Sequence, residues 1–344
     1  MGSIKIISPG LLTLVEDSGR YGYQQYGVPV SGVMDTFSHR VSNILVGNDE
    51  LEAVLEVTMM GPHIEFSDQM VIAVTGGNLS PELNGAAIPM WESILVQKGD
   101  QLTFRGLKSG CRSYIAFSGG ISVPDIMGSK STYTRGNIGG YEGRALKTGD
   151  VLEIGTPREN LNKLSGRKTP AEFIPVYPNT IELKVTIGPQ DDCFTPEGMQ
   201  TFLSSIYDVT NEFDRMGYRL SGEKIQHVEG GDIISDGIAM GAVQVPGHGQ
   251  PIIMLADRQT TGGYTKIANV IWTDLPKIAQ AKPGDKIRFE KVTVLEAQQL
   301  ICEMEEKIST IKKACVPRGV IFSRLLRLRI NGKSYDVRVE EIKP

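Results

Sequence analysis

Disulfide frameworks, metal clusters and long apolar runs are all missing from this chain of 344 residues. Its four cysteines, Cys111, Cys193, Cys302 and Cys315, lie far apart with no Cys-x-x-Cys pair. That pattern suits a reducing compartment better than a disulfide scaffold, and it predicts a cytoplasmic protein. The four histidines, His39, His63, His227 and His248, lack the short spacings of zinc ligands, so no metal site is expected. No run approaches the roughly 18 apolar residues of a membrane span, and Met1-Gly-Ser-Ile-Lys-Ile-Ile7 enters a β-type run without a signal-peptide core, so neither membrane insertion nor export is expected. Excess positive charge is absent too: 36 Lys and Arg against 40 Asp and Glu leave a formal charge of −4. Nucleic acid is therefore not an expected partner.

Two familiar catalytic signatures are incomplete. Gly128-Ser-Lys-Ser-Thr132 resembles the end of a phosphate-binding loop, but Val123 holds the position of its first glycine and Ser129 separates Gly128 from Lys130. Ala116-Phe-Ser118-Gly-Gly120 falls short of a nucleophile elbow and has no evident triad partner.

What is abundant is turn chemistry. The 39 glycines and 18 prolines punctuate short β-branched runs such as Met70-Val-Ile-Ala-Val-Thr75 and Ile181-Glu-Leu-Lys-Val-Thr-Ile187, which predicts a mainly β protein. Three Gly-Asp turns, at Gly99-Asp100, Gly149-Asp150 and Gly284-Asp285, each lead into an alternating strand. With the echo of Val57-Thr-Met-Met-Gly-Pro62 in Val185-Thr-Ile-Gly-Pro189, they suggest duplicated barrel-like units. The expected organisation is an N-terminal β-barrel domain over 1–160, a linker over 161–178, a second barrel over 179–292, and a helix plus hairpin over 293–344.

Helices are few. Asp35 is placed to cap one carrying Phe37, Val41, Ile44 and Leu45 on one face, with Gly47 at its end. Thr195-Pro196 opens a second, to about Tyr207. A third, over about 294–315, carries a stripe of Ala297, Leu300, Ile301, Met304, Ile308 and Ile311 and is expected to pack on a barrel. Asn331-Gly332, between Leu326–Ile330 and Ser334–Val339, signals a terminal hairpin.

Chemistry concentrates in Ala256-Asp-Arg-Gln-Thr-Thr-Gly-Gly-Tyr-Thr-Lys266, directly after an apolar run. Strand alternation continued past Leu255 puts Asp257, Gln259 and Thr261 on one face and Arg258 and Thr260 on the other. Gly262-Gly263 is expected to turn with positive φ and bare its N–H groups to a carbonyl or carboxylate. The same residues also fit a self-satisfied turn, with Arg258 in a salt bridge and Tyr264 packed. Two further stretches carry Asp and Arg around Gly and Tyr: Asp17-Ser-Gly-Arg20 with Gly27 to Asp35, and Asp214-Arg-Met-Gly-Tyr-Arg-Leu-Ser-Gly222. In the latter, Arg215 and Arg219 are candidate anion hooks and Tyr218 a substrate-side phenol.

Taken together, Asp17-Ser-Gly-Arg20, Ser31-Gly-x-Met-Asp35, Leu45-Val-Gly-Asn48, Asp214 to Gly222 and Gln259-Thr-Thr-Gly-Gly-Tyr264 resemble one family. It is known as the C component of 5-oxoprolinase, the biotin-dependent carboxyltransferase family, allophanate hydrolase subunit 2, or antagonist of the sporulation-kinase inhibitor. The resemblance implies two cyclophilin-like β-barrel domains. It implies work with two partner subunits of 5-oxoprolinase, one KipI-like and one LamB/YcsF-like, cleaving 5-oxo-L-proline to L-glutamate with ATP bound by the complex. Alternatives within the family are sequestration of a kinase inhibitor, and carboxyl transfer to urea or a related amide with biotin in trans.

A lactam is a resonance-stabilised amide, so its carbonyl oxygen must be activated, for example by phosphorylation. The chemistry asks for cations on phosphate and carboxylate (Arg20, Arg215, Arg258, Lys266) and donors on the carbonyl (Gln259, Tyr264, the amides of Gly262 and Gly263). Asp17 or Asp257 would hold a cation or orient an arginine. Asp257, Gln259, Tyr264 and Lys266 are the catalytic candidates; Asp17, Arg20, Arg215, Tyr218, Arg258, Thr260, Thr261, Gly262 and Gly263 are the substrate-binding ones. Arg327 to Glu341 resembles the opening hairpin of biotin carrier domains, but no Met-Lys-Met site occurs in the sequence, and no covalent biotin is expected.

Overall fold

One small turn recurs three times and starts a strand each time. Gly99, Gly149 and Gly284 have φ of 87°, 93° and 87°, which only glycine adopts without strain. The aspartate after each then accepts a backbone N–H three residues back: Gln97 to Asp100, Lys147 to Asp150 and Lys282 to Asp285, at 2.7, 2.7 and 3.0 Å. The strands that follow are Gln101–Phe104, Val151–Ile154 and Lys286–Lys291.

These turns belong to a mainly β architecture, here a computed structural model describing residues 2–315, 320–330 and 333–342. Two sheets are built from residues before 155. One has seven strands in the order Ile121–Ser122, Val151–Ile154, Ser3–Ser8, His63–Phe66, Gln101–Phe104, Pro81–Leu83, Ala86–Ala87. The other has five, in the order Leu12–Glu16, Val54–Thr58, Ser109–Phe117, Met70–Asn78, Ser93–Val96. Alternate residues from both sheets, among them Ile4, Phe66, Leu152, Leu55, Ile72 and Phe117, fill one core.

The third sheet closes on itself. From Thr180–Ile187 it runs through Lys286–Lys291, Tyr207–Phe213, Gly217–Ser221, Ile252–Met254, Ala242–Val245 and Thr261–Val270. Val185 opposite Val270 and Ile187 opposite Ala268 complete a seven-stranded ring. Its interior is apolar, with Phe202 stacked on Phe289 at 4.4 Å between ring centres. An eighth strand, Asp232–Gly237, flanks the ring beside Thr261–Val270.

The expected caps are present. Asp35 accepts the Ser38 N–H at 2.9 Å and opens Thr36–Leu45; Thr195 caps Pro196–Ser204, which stops short of Tyr207. A full capping box of Thr293 and Glu296 opens Val294–Ala314. Of that helix's stripe, Met304, Ile308 and Ile311 are buried, in one cluster with Val41 and Leu45 of the first helix. The helix therefore leans on another helix and on the first half of the chain, and Ile301 stays exposed. Val320–Ile330 and Lys333–Ile342 pair antiparallel as the expected hairpin; its turn, Asn331-Gly332, lies outside the described residues. No helix among the described residues is long and apolar enough to cross a membrane.

Candidate functional site

The three chemistry-bearing stretches, distant in sequence, meet where the first two sheets abut the barrel. Ser31 N–H donates to Ala256 O at 3.1 Å, and Asp257 N–H to Arg215 O at 2.8 Å. Arg215 is the hub. Its Nε donates to Asp257 Oδ2 at 2.9 Å, its Nη2 to Gly32 O at 2.6 Å, and its Nη1 to Glu56 Oε1. Glu16 Oε2 lies 3.4 Å from Nη2. Glu56 also accepts from Tyr114 Oη at 2.9 Å and Met34 N at 2.7 Å, while Arg112 Nε stands 3.9 Å away.

Three buried carboxyl groups thus face two guanidinium groups. Burial pushes the Glu16 carboxyl well above the ordinary range; Arg215 opposes this, while Asp257, Glu56 and Asp17 reinforce it. Neither Glu16 oxygen has a hydrogen-bond partner among the described residues, so only the Arg215 charge offsets the burial of this carboxyl. Burial alone would loosen the Arg215 proton, but Asp257, Glu16 and Glu56 outweigh it and bind that proton more tightly than usual.

The other candidates from the N-terminal stretch also turn inward. Asp17 accepts from Ser129 Oγ at 2.7 Å, Ser131 Oγ at 2.5 Å and Lys130 N at 2.6 Å. Arg20 donates to the carbonyls of Ile126 at 2.9 Å and Ser131 at 2.8 Å. Together they pin the segment resembling a phosphate-binding loop into a structural fold. Tyr218 Oη takes a bond from Arg112 and donates to Ala281 O at 3.2 Å. Arg219 lies outside, paired with Glu212 at 3.0 Å.

The 256–266 stretch departs from simple alternation. The strand ends at Met254, and the chain then turns so that Asp257 and Arg258 are both buried and Gln259 is exposed. Gly262 and Gly263 do not form a left-handed turn. They lie in the strand Thr261–Val270, with Gly262 opposite Asp236, and neither has positive φ. Their lack of side chains serves packing at both: a Cβ on Gly262 would sit 2.6 Å from Ile238 Cδ1, and one on Gly263 would meet the backbone oxygen of Ile233 at 3.3 Å, closer than ordinary contact. Gly262→Ala is therefore expected to destabilise by about 1 kcal/mol or more and Gly263→Ala by less, its nearest contact being the longer one; paired thermal melts check the difference.

Two features of this face bear on ligands. Arg258 Nε donates to Ile238 O at 2.9 Å and Nη1 to Leu255 O at 3.2 Å, so backbone carbonyls hold it in place of the expected salt bridge, and no carboxylate among the described residues pairs with it. Burial pulls its pKa down to about 10, with the nearby Tyr21 hydroxyl acting the other way. Around it, Gln259 and Thr261 are exposed, Thr260 is half-buried, and Tyr264 is 41% exposed. Lys266 is buried and its Nζ reaches Asp236 Oδ2 at 2.9 Å. Sequence reasoning missed Glu16, Glu56, Arg112 and Gln244. A usable signal was present for two of them, since Glu16 and Glu56 each interrupt or end an apolar strand, and a buried charge needs a partner.

Known proteins share this arrangement of sheets. The sequence is 36% identical over 294 residues to the 5-oxoprolinase C subunit of Escherichia coli, covering 86% of this chain and 93% of that one. It is 39% identical over 313 residues to urea amidolyase of Saccharomyces cerevisiae, covering 87% of this chain but 17% of that one. The chain thus spans less than a fifth of the fungal urea amidolyases it matches. The crystal structure of Kluyveromyces lactis urea carboxylase superposes with a TM-score of 0.85 at 31% identity, covering 99% of this chain and 32% of that one. Residues 26–291, which hold the Arg215 hub and the whole 256–266 stretch, match the carboxyltransferase domain, subdomain A and B, and the chain belongs to that family.

Proposed function

We propose that the chain is the C subunit of an ATP-dependent 5-oxoprolinase, cleaving 5-oxo-L-proline to L-glutamate in complex with a KipI-like and a LamB/YcsF-like partner. The observation that carries this reading is the stretch around Arg258: a buried guanidinium without a carboxylate partner among the described residues, close in sequence to the exposed donors Gln259, Thr261 and Tyr264. A small acid with an amide carbonyl matches that set. In this reading Arg258 takes the carboxylate, and Gln259 and Tyr264 donate to the carbonyl oxygen as charge develops on it. Lys266, held by Asp236, adds positive charge for the phosphoryl group that ATP supplies within the complex. Asp17, Arg20, Arg215, Asp257 and Tyr218 act one step back, by fixing the loops around this stretch.

Carboxyl transfer to urea, with biotin carried by another chain, is the second reading; the identity to urea amidolyase favours it. Reconstitution separates the two. The isolated chain is expected to be inactive and to gain 5-oxoproline-dependent glutamate release only with both partners and ATP; turnover by the chain alone contradicts a split site.

A further inference from the structure

The barrel strand that follows Ile238 and Gly241 carries a buried donor without a partner. Gln244, on the strand Ala242–Val245, is 1% exposed, and its Nε2 has no hydrogen-bond partner among the described residues. Leaving a buried amide N–H unpaired is costly, so an unsatisfied one in a folded core calls for an acceptor from elsewhere. The amide points at Gly262, where an added Cβ would lie 3.1 Å from Nε2.

Arg258 and Gln244 are linked through one residue. Ile238 takes Arg258 Nε on its carbonyl, while its side chain reaches Gly262. Arg258 Nη2 donates to no described residue. This part of the barrel therefore holds a cation without a carboxylate and an amide without an acceptor, with Gly262 bare against both the amide and Ile238. Ile238 is the side chain that must shift for a ligand to span both.

We infer that Gln244 and Arg258 form a two-point specificity site for a small ring that bears both a carboxylate and an amide carbonyl, the carboxylate on Arg258 and the carbonyl on Gln244 Nε2. The inference rests on the 5-oxoprolinase reading and sharpens it. Urea offers a carbonyl but no carboxylate, and leaves Arg258 uncompensated. Gln244 is thereby a specificity residue, and Gly262 is glycine because any side chain there would crowd both Ile238 and the amide.

Calorimetric titration of the full chain tests this without partners or ATP. The probes are 5-oxoproline, 2-pyrrolidinone (the lactam without its carboxylate), cyclopentanecarboxylate (the acid without its lactam) and urea. 5-Oxoproline is expected to bind about 10-fold or more tightly than each of the others, because a site built to bond a group rejects the analogue lacking it. Arg258→Gln should erase its advantage over 2-pyrrolidinone, and Gln244→Leu its advantage over cyclopentanecarboxylate. Equal binding of all four probes by the unmodified chain, or no binding of any, overturns the inference. So do folded variants, verified by thermal melts, that keep the full preference; should Arg258→Gln fail to fold, Arg258→Lys and Gln244→Leu carry the test. Selective binding without turnover in the reconstituted complex would overturn the enzymatic reading alone, whereas turnover with an unchanged KM in Arg258→Gln would overturn this site alone.

Discussion

Arg215→Met is expected to lower stability by about 3–5 kcal/mol, the cost of stripping the cation from buried carboxylates. Asp257 and Glu56 are both nine-tenths buried or more, and in the variant neither keeps a guanidinium within direct hydrogen-bond reach, since Arg112 stands 3.9 Å from Glu56. The loss spreads beyond one contact. Arg215 also holds Gly32 O, and through it the loop that carries Ser31 onto Ala256. Denaturant unfolding measures the loss. Adding Asp257→Asn and Glu56→Gln to Arg215→Met should recover part of it, because the deficit is unpaired charge rather than lost volume. A variant as stable as the parent would show that the junction does not depend on the ion cluster.

Glu16→Gln is expected to do the opposite and to do so in a pH-dependent way. The Glu16 carboxyl is raised well above its ordinary value of 4.5 by burial, so the folded protein keeps a proton that the unfolded chain releases. Where the folded state binds more protons, stability falls as pH rises. The contribution is complete below pH 4.5 and is lost progressively as pH climbs from there toward the folded value. Gln, a neutral isostere, removes that slope. The variant should match the parent near pH 4 and gain on it by up to about 1.4 kcal/mol per pH unit above the ordinary value. Melts across pH 4 to 8 read the divergence. A variant less stable at neutral pH would mean that Glu16 is ionised and pairs with Arg215.

What could be read in advance follows from the range of the interactions. The Gly-Asp turns, the Asp35 and Thr195 caps and the terminal hairpin depend on residues a few positions apart, so their signals lie within one window of sequence. The barrel closure does not: Val185 meets Val270 from the far end of the barrel sequence, and nothing local announces it. The same holds for the hub, because Arg215 finds Glu56 at a separation of 159 residues. Residue types drew attention to Arg215 as an anion hook and to Asp257 as a catalytic group, but not to their pairing in one ion cluster nor to the inward direction of Arg20 and Tyr218, which packing decides. Gly262-Gly263 illustrates the reverse error. A glycine pair suggests positive φ, yet here Ile238 and the Gln244 amide explain the absence of a side chain at Gly262 while the backbone stays in its strand.

The most direct test of the central claim is a single assay on the complex reconstituted from this chain with the proposed KipI-like and LamB/YcsF-like partners. Glutamate and ADP release are followed with either 5-oxoproline or urea as the substrate, with and without a biotin carrier. Glutamate formed from 5-oxoproline with ATP, no dependence on biotin, and no ADP released with urea is the predicted result. Urea-dependent ADP release that requires the biotin carrier, with 5-oxoproline inert, would contradict it and place the chain among the carboxyl-transferring members of its family.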